Sequence, residues 1–395
     1  MKRLLIAVGI AVGVFVFAGL YRVWFHNATA ADRVAQAEAP TEEFTISSGP
    51  RLVLLPVALS DKTVLFCVDT GAWKTIFDSS LRAHLGASLG TTTAATPSGF
   101  MQVEMFRCPR ASVGSLDLSS VESVGCHDLT KMRYASGQEI YGIIGMDFLK
   151  GYALEFDFDA GKCRIWKSSP QDWSQEHSVS LTYDESNRPQ VTLVLPGEKS
   201  ERFVLDTGAN ASTLRSNIFD ELVEKAGIQP AISHNGIAMA GTFRAQSGYV
   251  NELHLDSFSQ RSIRLDRDPF SVLGVRYLSR YNVRLDFIGG KAYFAAGHRL
   301  HVPEPTATSG LAILQMNGEK VVCAVEPSGP AAGSGIAPGD VIVAVEGRNA
   351  TDCDMVSLHE IMTHEPGATV SLRLRRSDQT FDTAIRLQSR LVSRR

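Results

Sequence analysis

The chain has 395 residues, 44% of them hydrophobic and 21% charged, the composition of soluble globular domains. Its 39 basic and 42 acidic residues leave a net charge of −3, which gives no reason to expect nucleic acid as a partner. That length accommodates two or three domains.

The N-terminus stands apart. Lys2 and Arg3 precede an uncharged apolar run from Leu4 to Leu20, the pattern of a secretory signal or an N-terminal membrane anchor. Ala28-Thr29-Ala30 offers a small-residue cleavage site, whereas Tyr21 and Trp24 read as interfacial aromatics of an uncleaved anchor. Residues 1–30 are therefore signal or anchor, and both readings export the rest of the chain to the periplasm or another extracytoplasmic space. Residues 31–43, rich in Ala, Glu, Pro and Thr, read as a flexible spacer.

From 44 to 168, short alternating apolar runs are separated by Gly, Ser, Asp and Pro, which is an all-β pattern. Its one helical stretch is short, near Ser79 to Leu85. The run Val64 to Val68 reads as a buried strand, and it ends in Asp69-Thr70-Gly71-Ala72. After a polar linker, the same plan recurs from 178 to 297, with a helix near Ser216 to Lys225. There Phe203 to Leu205 leads into Asp206-Thr207-Gly208-Ala209.

One Asp-Thr-Gly carries little information. Two in one register carry more. Asp206 follows Asp69 by 137 residues (206 − 69), and the same offset relates Phe66 to Phe203, Thr75 to Ser212, Gly99 to Gly236, Phe106 to Phe243 and Leu116 to Leu253. Farther on the offset becomes 129, relating Gly145 to Gly274, Asp157 to Asp286 and Gly161 to Gly290. An internal duplication with one insertion in the first copy, around Met132 to Glu139, accounts for both registers. Asp157 and Asp286 read as structural residues near a strand end. Gly99 and Gly236 follow the triplets in Gly/Ser/Thr/Ala-rich segments and read as hairpin tips that could close over a cleft.

Twin halves packed about a pseudo-two-fold axis would bring Asp69 and Asp206 face to face. Two such carboxyls share one proton. One then acts as acid while the other acts as base toward a water.

Both intact triplets, together with Ile143-Ile144-Gly145 and Val272-Leu273-Gly274, resemble the retropepsin-like aspartic peptidases over roughly residues 44–297. The resemblance implies a mainly β fold of two acid-protease lobes in tandem, 44–168 and 178–297. It implies Asp69 and Asp206 as the catalytic dyad and an interlock of Thr70 with Thr207 across the axis. Gly71 and Gly208 would permit close backbone approach. No cofactor and no metal are implied, and a monomer suffices for the site. Trp73-Lys74 departs from the small polar residue usual after the first triplet, so Trp73 would line a substrate pocket or disturb the loop.

Beyond a second linker, His298 to Thr308, the string from Ser309 through Val325-Glu326-Pro327 and Gly335-Ile336-Ala337-Pro338-Gly339-Asp340 to Glu346-Gly347 resembles a bacterial-type PDZ domain over 309–390. The resemblance implies a groove that takes an extended peptide by strand addition. Amides of Gly310, Leu311 and Ala312 would hold a terminal carboxylate, and the groove helix would run from about Asp354 to His364. His359 and His364 are five apart and face different sides of a helix, so they do not form a zinc pair. The basic tail, Arg386 to Arg395, reads as a solvated end.

Six cysteines fit an oxidising compartment. Four of them, Cys67, Cys108, Cys126 and Cys163, have apolar counterparts Val204, Ala245, Ile263 and Ala292 in the second copy. Buried small hydrophobes and disulfide bridges both remain open. The function expected from all this is an exported aspartic endopeptidase acting on protein or peptide substrates, with the PDZ domain recruiting or positioning them. The alternative is a non-catalytic peptide-binding adaptor on the same scaffold, with the PDZ groove as its main site. A membrane partner enters through residues 4–20, and in an anchored chain the basic tail could also meet anionic lipid.

Overall fold

In a computed structural model, residues 38–96, 99–175, 177–238 and 241–392 are described. The signal or anchor segment therefore lies outside the described residues, as does most of the spacer. Among the described residues no helix is long and apolar enough to cross a membrane.

The protein is mainly β. In the first half, alternation does what the sequence demands: Leu55 and Val57 point into the core while Pro56 and Ala58 face outward. The strand that leads to Asp69, β1 (Thr63–Val68), ends in three buried residues. It pairs in parallel with β2 (Gly142–Ile144), Val68 beside Ile144. Nine strands form this sheet, in the order 88–96, 99–107, 123–127, 76–78, 142–144, 63–68, 54–58, 112–113, 116–117. The sheet of the second half runs 228–230, 247–250, 263–268, 213–215, 272–273, 199–205, 189–195, 253–255, 258–260. Here β3 (Lys199–Leu205) leads to Asp206 and pairs in parallel with β4 (Val272–Leu273). The second sheet also carries 182–183 beside 189–195; along the nine-strand path the two orders correspond strand by strand.

The correspondence corrects part of the sequence register. Val57 pairs with Val113, and its counterpart Val194 pairs with His254, so the offset there is 141 (254 − 113) rather than 137. The same value relates Gly125, opposite Ile76, to Asp266, opposite Thr213. The second half has the longer helix, Ser216–Glu224 against a 3-10 turn at Ser79–His84, followed by a separate strand Ile228–Pro230. The counterparts Ala245 and Ile263 proposed for Cys108 and Cys126 shift accordingly. With that offset, the insertion expected in the first half would span 12 residues (141 − 129) rather than 8. It contains helix α1 (Thr130–Ser136), capped by Gly137 in the left-handed conformation at φ +68°.

A third sheet joins the halves: 42–45, 162–166, 153–157, 281–286, 291–296, 179–180. Its first strand begins inside the stretch read as spacer. At the seam Glu155 accepts from Arg164 at 2.6 Å and from Arg284 of the other half at 2.8 Å. The hydrophobic core runs unbroken through both halves, from Phe66 and Phe156 to Phe203 and Tyr281. Asp157 and Asp286 serve as turn acceptors for Ala160 and Gly289.

The C-terminal module has a core of its own around Val322, Ile342, Leu358 and Leu372. Its sheet runs 311–316, 319–325, 341–345, 369–376, 379–386, with β5 (Leu311–Met316) at the edge. Helix α2 (Met355–Met362) starts at Asp354, whose side chain caps Ser357 N. The preceding linker is docked: Arg280 donates to the carbonyls of Leu300 and Val302 and to Glu304. Arg390, expected in a solvated tail, is 7% exposed and donates to Ala307 O. Ile232 N binds the Arg390 carbonyl, which draws the tail back onto the second half. All six cysteines are free thiols, so the bridges their parity allowed do not form.

Candidate active site

Each aspartate sits where a strand stops and a loop turns back. Asp69 N donates to Ile144 O, and Asp206 N donates to Leu273 O, both at 3.0 Å. The parallel neighbours β2 and β4 thus set the height of each acid. Just beyond them, Gly145 N and Gly274 N donate to the hydroxyls of Thr75 and Ser212, at 3.2 and 3.1 Å. Gly145 and Gly274 have to be glycine. A Cβ there would stand 2.4 Å from the Lys74 carbonyl carbon and from Ala211 O, respectively.

The two loops interlock. Thr70 Oγ1 donates to Leu205 O at 2.5 Å and Thr207 Oγ1 to Val68 O at 2.7 Å. Each threonine amide donates to the other threonine's hydroxyl, at 3.2 and 3.1 Å. Both threonines are buried. Gly71 and Gly208 pass directly beside the opposite acid. A Cβ on Gly71 would lie 2.2 Å from Asp206 Cγ, and one on Gly208 would lie 2.2 Å from Asp69 Cγ.

The structure therefore brings Asp69 and Asp206 together, with their carboxyls hydrogen-bonded to each other. Each keeps some accessible surface while protein surrounds it on nearly every other side. Burial is the largest influence on both and raises both. Asp69 is held well above the ordinary carboxylate value, next by the charge of Asp206 and their hydrogen bond, against the amides of Gly71 and Ala72. Asp206 is raised too, but Gly208 N, the hydrogen bond from Asp69, the Arg188 charge and Ala209 N pull it back. Such a pair carries one proton between two carboxyls.

Residues 55–148 match the family described as aspartyl protease, and residues 297–387 match the PDZ domain. This chain carries an aspartyl protease domain and a PDZ domain. The aspartyl protease match contains Asp69 and its loop. Asp206 lies outside it and is tied to that loop by the contacts above. No curated protein matches the chain.

Around the aspartyl protease loop, Trp73 does not disturb the packing. It is 40% exposed, and the bond just before it corresponds in the two halves: Met146 N to Ala72 O at 2.8 Å, Val275 N to Ala209 O at 2.7 Å. Gly99, at φ +118°, opens the second arm of the hairpin 88–96/99–107, at its turn. Next to it Phe100 is 80% exposed. Gly236 is not at a tip. It lies within the arm His234–Ala238, opposite Phe243. The offset of 141 places the counterpart of Gly99 at residue 240, outside the described residues. In the PDZ loop, Gly310 N donates to Thr308 Oγ1 at 3.0 Å and Leu311 N to Ser309 Oγ at 3.3 Å, so these amides have partners within the loop. The Ala312 carbonyl accepts from Cys323 Sγ at 3.2 Å.

Sequence reading missed Arg188. Its charge favours ionised Asp206, while Asp184 holds its Nε at 2.7 Å and its guanidinium lies over Phe270. The signal was present: Arg51 precedes it by 137 residues (188 − 51). A cavity of about 480 Å³ borders the first hairpin at Arg82, Gln102, Glu104 and His127, and neither aspartate lines it.

Proposed function

We propose that the protein is an aspartic endopeptidase built from two duplicated lobes, with Asp69 and Asp206 as its catalytic dyad. The observation that carries this reading is reciprocal: each Asp-Thr-Gly glycine lies against the other triplet's carboxyl, leaving no room for a Cβ. A shared proton makes Asp69 the acid and Asp206 the base. Asp206 takes a proton from a water held between the carboxyls, and the water oxygen attacks the peptide carbonyl carbon. Asp69 gives its proton to the carbonyl oxygen. A proton then passes to the amide nitrogen, the C–N bond breaks, and no covalent enzyme intermediate forms.

The hairpin 88–96/99–107, with exposed Phe100, would cover an extended substrate, and the PDZ domain would handle substrate or partner segments. The apolar run 4–20 supports export, with anchoring at the inner membrane if the segment is not removed. The test is cleavage of an unfolded polypeptide such as casein by the purified chain and by Asp69→Asn and Asp206→Asn. Each variant is expected to lose on the order of 10³-fold in rate, the scale of removing a general acid or base. Undiminished cleavage by both variants would refute the dyad. A peptide analogue with a hydroxyl at the scissile position is expected to block the parent.

A further inference from the structure

Helix α1 is the largest addition that the first half has over the second, and the proposed chemistry does not use it. It lies where a PDZ ligand would lie. A PDZ groove runs between an edge strand and a helix, here β5 and α2. One edge of β5 pairs with Glu319–Val325, and among the described residues no strand pairs with the other. Helix α1 packs against β5 and reaches α2. Its cap, Gly137, is wedged between the two walls. The Gly137 carbonyl accepts from Gln315 Nε2 of β5 at 3.2 Å. A Cβ on Gly137 would stand 2.6 Å from Met355 Cγ of α2 and 3.0 Å from Gln315 Oε1.

Burial agrees with an occupied groove. All six residues of β5 are half-buried despite its edge position. A surface helix shows a polar outer face, yet of the seven residues of α1 only Lys131 is exposed. The same helix is bound to the protease domain on its other side. Arg133 pairs with Asp78 at 2.9 Å and donates to Ile140 O at 2.8 Å. A few residues later the chain enters β2, whose Ile144 carbonyl holds the Asp69 amide. Helix α1 also lies against strand His234–Ala238 of the second hairpin.

We propose that α1 is a built-in occupant of the PDZ groove, and that an extended peptide with a free C-terminus, adding to β5, displaces it and releases the second hairpin. Only the effect of that release on cleavage rests on the protease reading; the displacement does not.

The test uses the full chain carrying Asp69→Asn, so that no probe is cut. The probe is a fluorescein-labelled pool of decapeptides ending in a free Val, Leu or Ala, with C-terminally amidated peptides as control. Gly137→Asn supplies the wedge. Asn tolerates the left-handed conformation, and its side chain meets both walls while leaving their residues unchanged. If the groove is open about a tenth of the time in the parent, the variant binds the probe about ten-fold tighter. Gln315→Ala, which removes the bond to Gly137 but keeps the β5 backbone, shifts affinity the same way and covers the case in which Gly137→Asn fails to fold. Saturating probe is expected to raise hydrogen exchange across residues 130–139. Equal binding by parent and variants, no binding by any of them, or occupancy without faster exchange at 130–139 would each overturn the proposal. In the chain with Asp69 restored, saturating probe should speed casein cleavage several-fold. Displacement with an unchanged rate refutes the coupling to the hairpin, and displacement in a chain that cleaves nothing counts against the protease reading alone.

Discussion

At the scale of single residues, two glycines decide whether the acids can meet. Gly71→Ala places a methyl where the Asp206 carboxyl stands, and the 2.2 Å approach leaves no way to accommodate it without moving that acid. A shift of about 1 Å at reacting groups costs on the order of 10²-fold in rate, so this variant should lose about that much casein cleavage while its melting temperature falls little. The pair also sets a pH dependence of stability. Asp69 holds its proton more tightly in the folded chain, through burial and the neighbouring Asp206. Below the unfolded value of about 3.9 both states carry that proton. As pH rises past it, the unfolded state ionises first and is favoured, so stability falls until folded Asp69 ionises. Asp69→Asn removes that penalty. Thermal melts should show the Asn variant gaining on the parent between pH 4 and pH 7, and a difference that does not change with pH would contradict the shared proton.

Among the structural elements, the threonine interlock joins the strand ends that carry the acids. Thr207→Val keeps the shape but removes the donor to Val68 O and the acceptor for Thr70 N, both buried. Each buried group left unpaired costs about 1–3 kcal/mol, so for the two groups a loss of roughly 2–6 kcal/mol is expected, seen as a lower urea midpoint. Thr207→Ser keeps both bonds and should recover most of it. This site was legible from sequence because the triplets, Thr75/Ser212 and Gly145/Gly274 are local features repeated at fixed spacing. The hairpins were not. The second half has a longer helix, Ser216–Glu224 against Ser79–His84, so the register that follows it is shifted, and pairs such as Phe106 and Phe243 matched by coincidence of type. That coincidence placed Gly236 at a tip it does not occupy and shortened the insertion that forms α1. Long-range strand pairing, not local pattern, sets the register there.

Across the whole molecule, the sequence marked three modules but not their docking, because docking depends on single polar residues with no periodicity. Arg390 looked like part of a charged tail. It closes the PDZ domain against Ala307, and burial lowers its pKa to about 10. The second linker carries Glu304, nearly buried, which pairs with Arg280 at 2.9 Å and lies 3.7 Å from Arg276. Arg264 and Arg390 add positive charge to the same junction, where burial and the charges of Arg276, Arg264 and Arg390 hold the His359 imidazole well below its ordinary pKa. Glu304 is thus a principal negative charge in a cationic seam. Glu304→Gln would keep the volume but leave Arg280 buried without its counter-ion, a change that costs about 3–5 kcal/mol when one partner of a buried pair is removed. Arg280 also caps two linker carbonyls, so the cheapest relief is to let residues 298–306 lift away with the PDZ domain. The expected outcome is faster trypsin cutting at Arg299 and a larger radius of gyration in small-angle scattering, with the protease half still folded. Double replacement, Glu304→Gln with Arg280→Met, removes both charges and should restore much of the docked form. If the single variant cuts and scatters like the parent, the ion pair does not hold the two domains together.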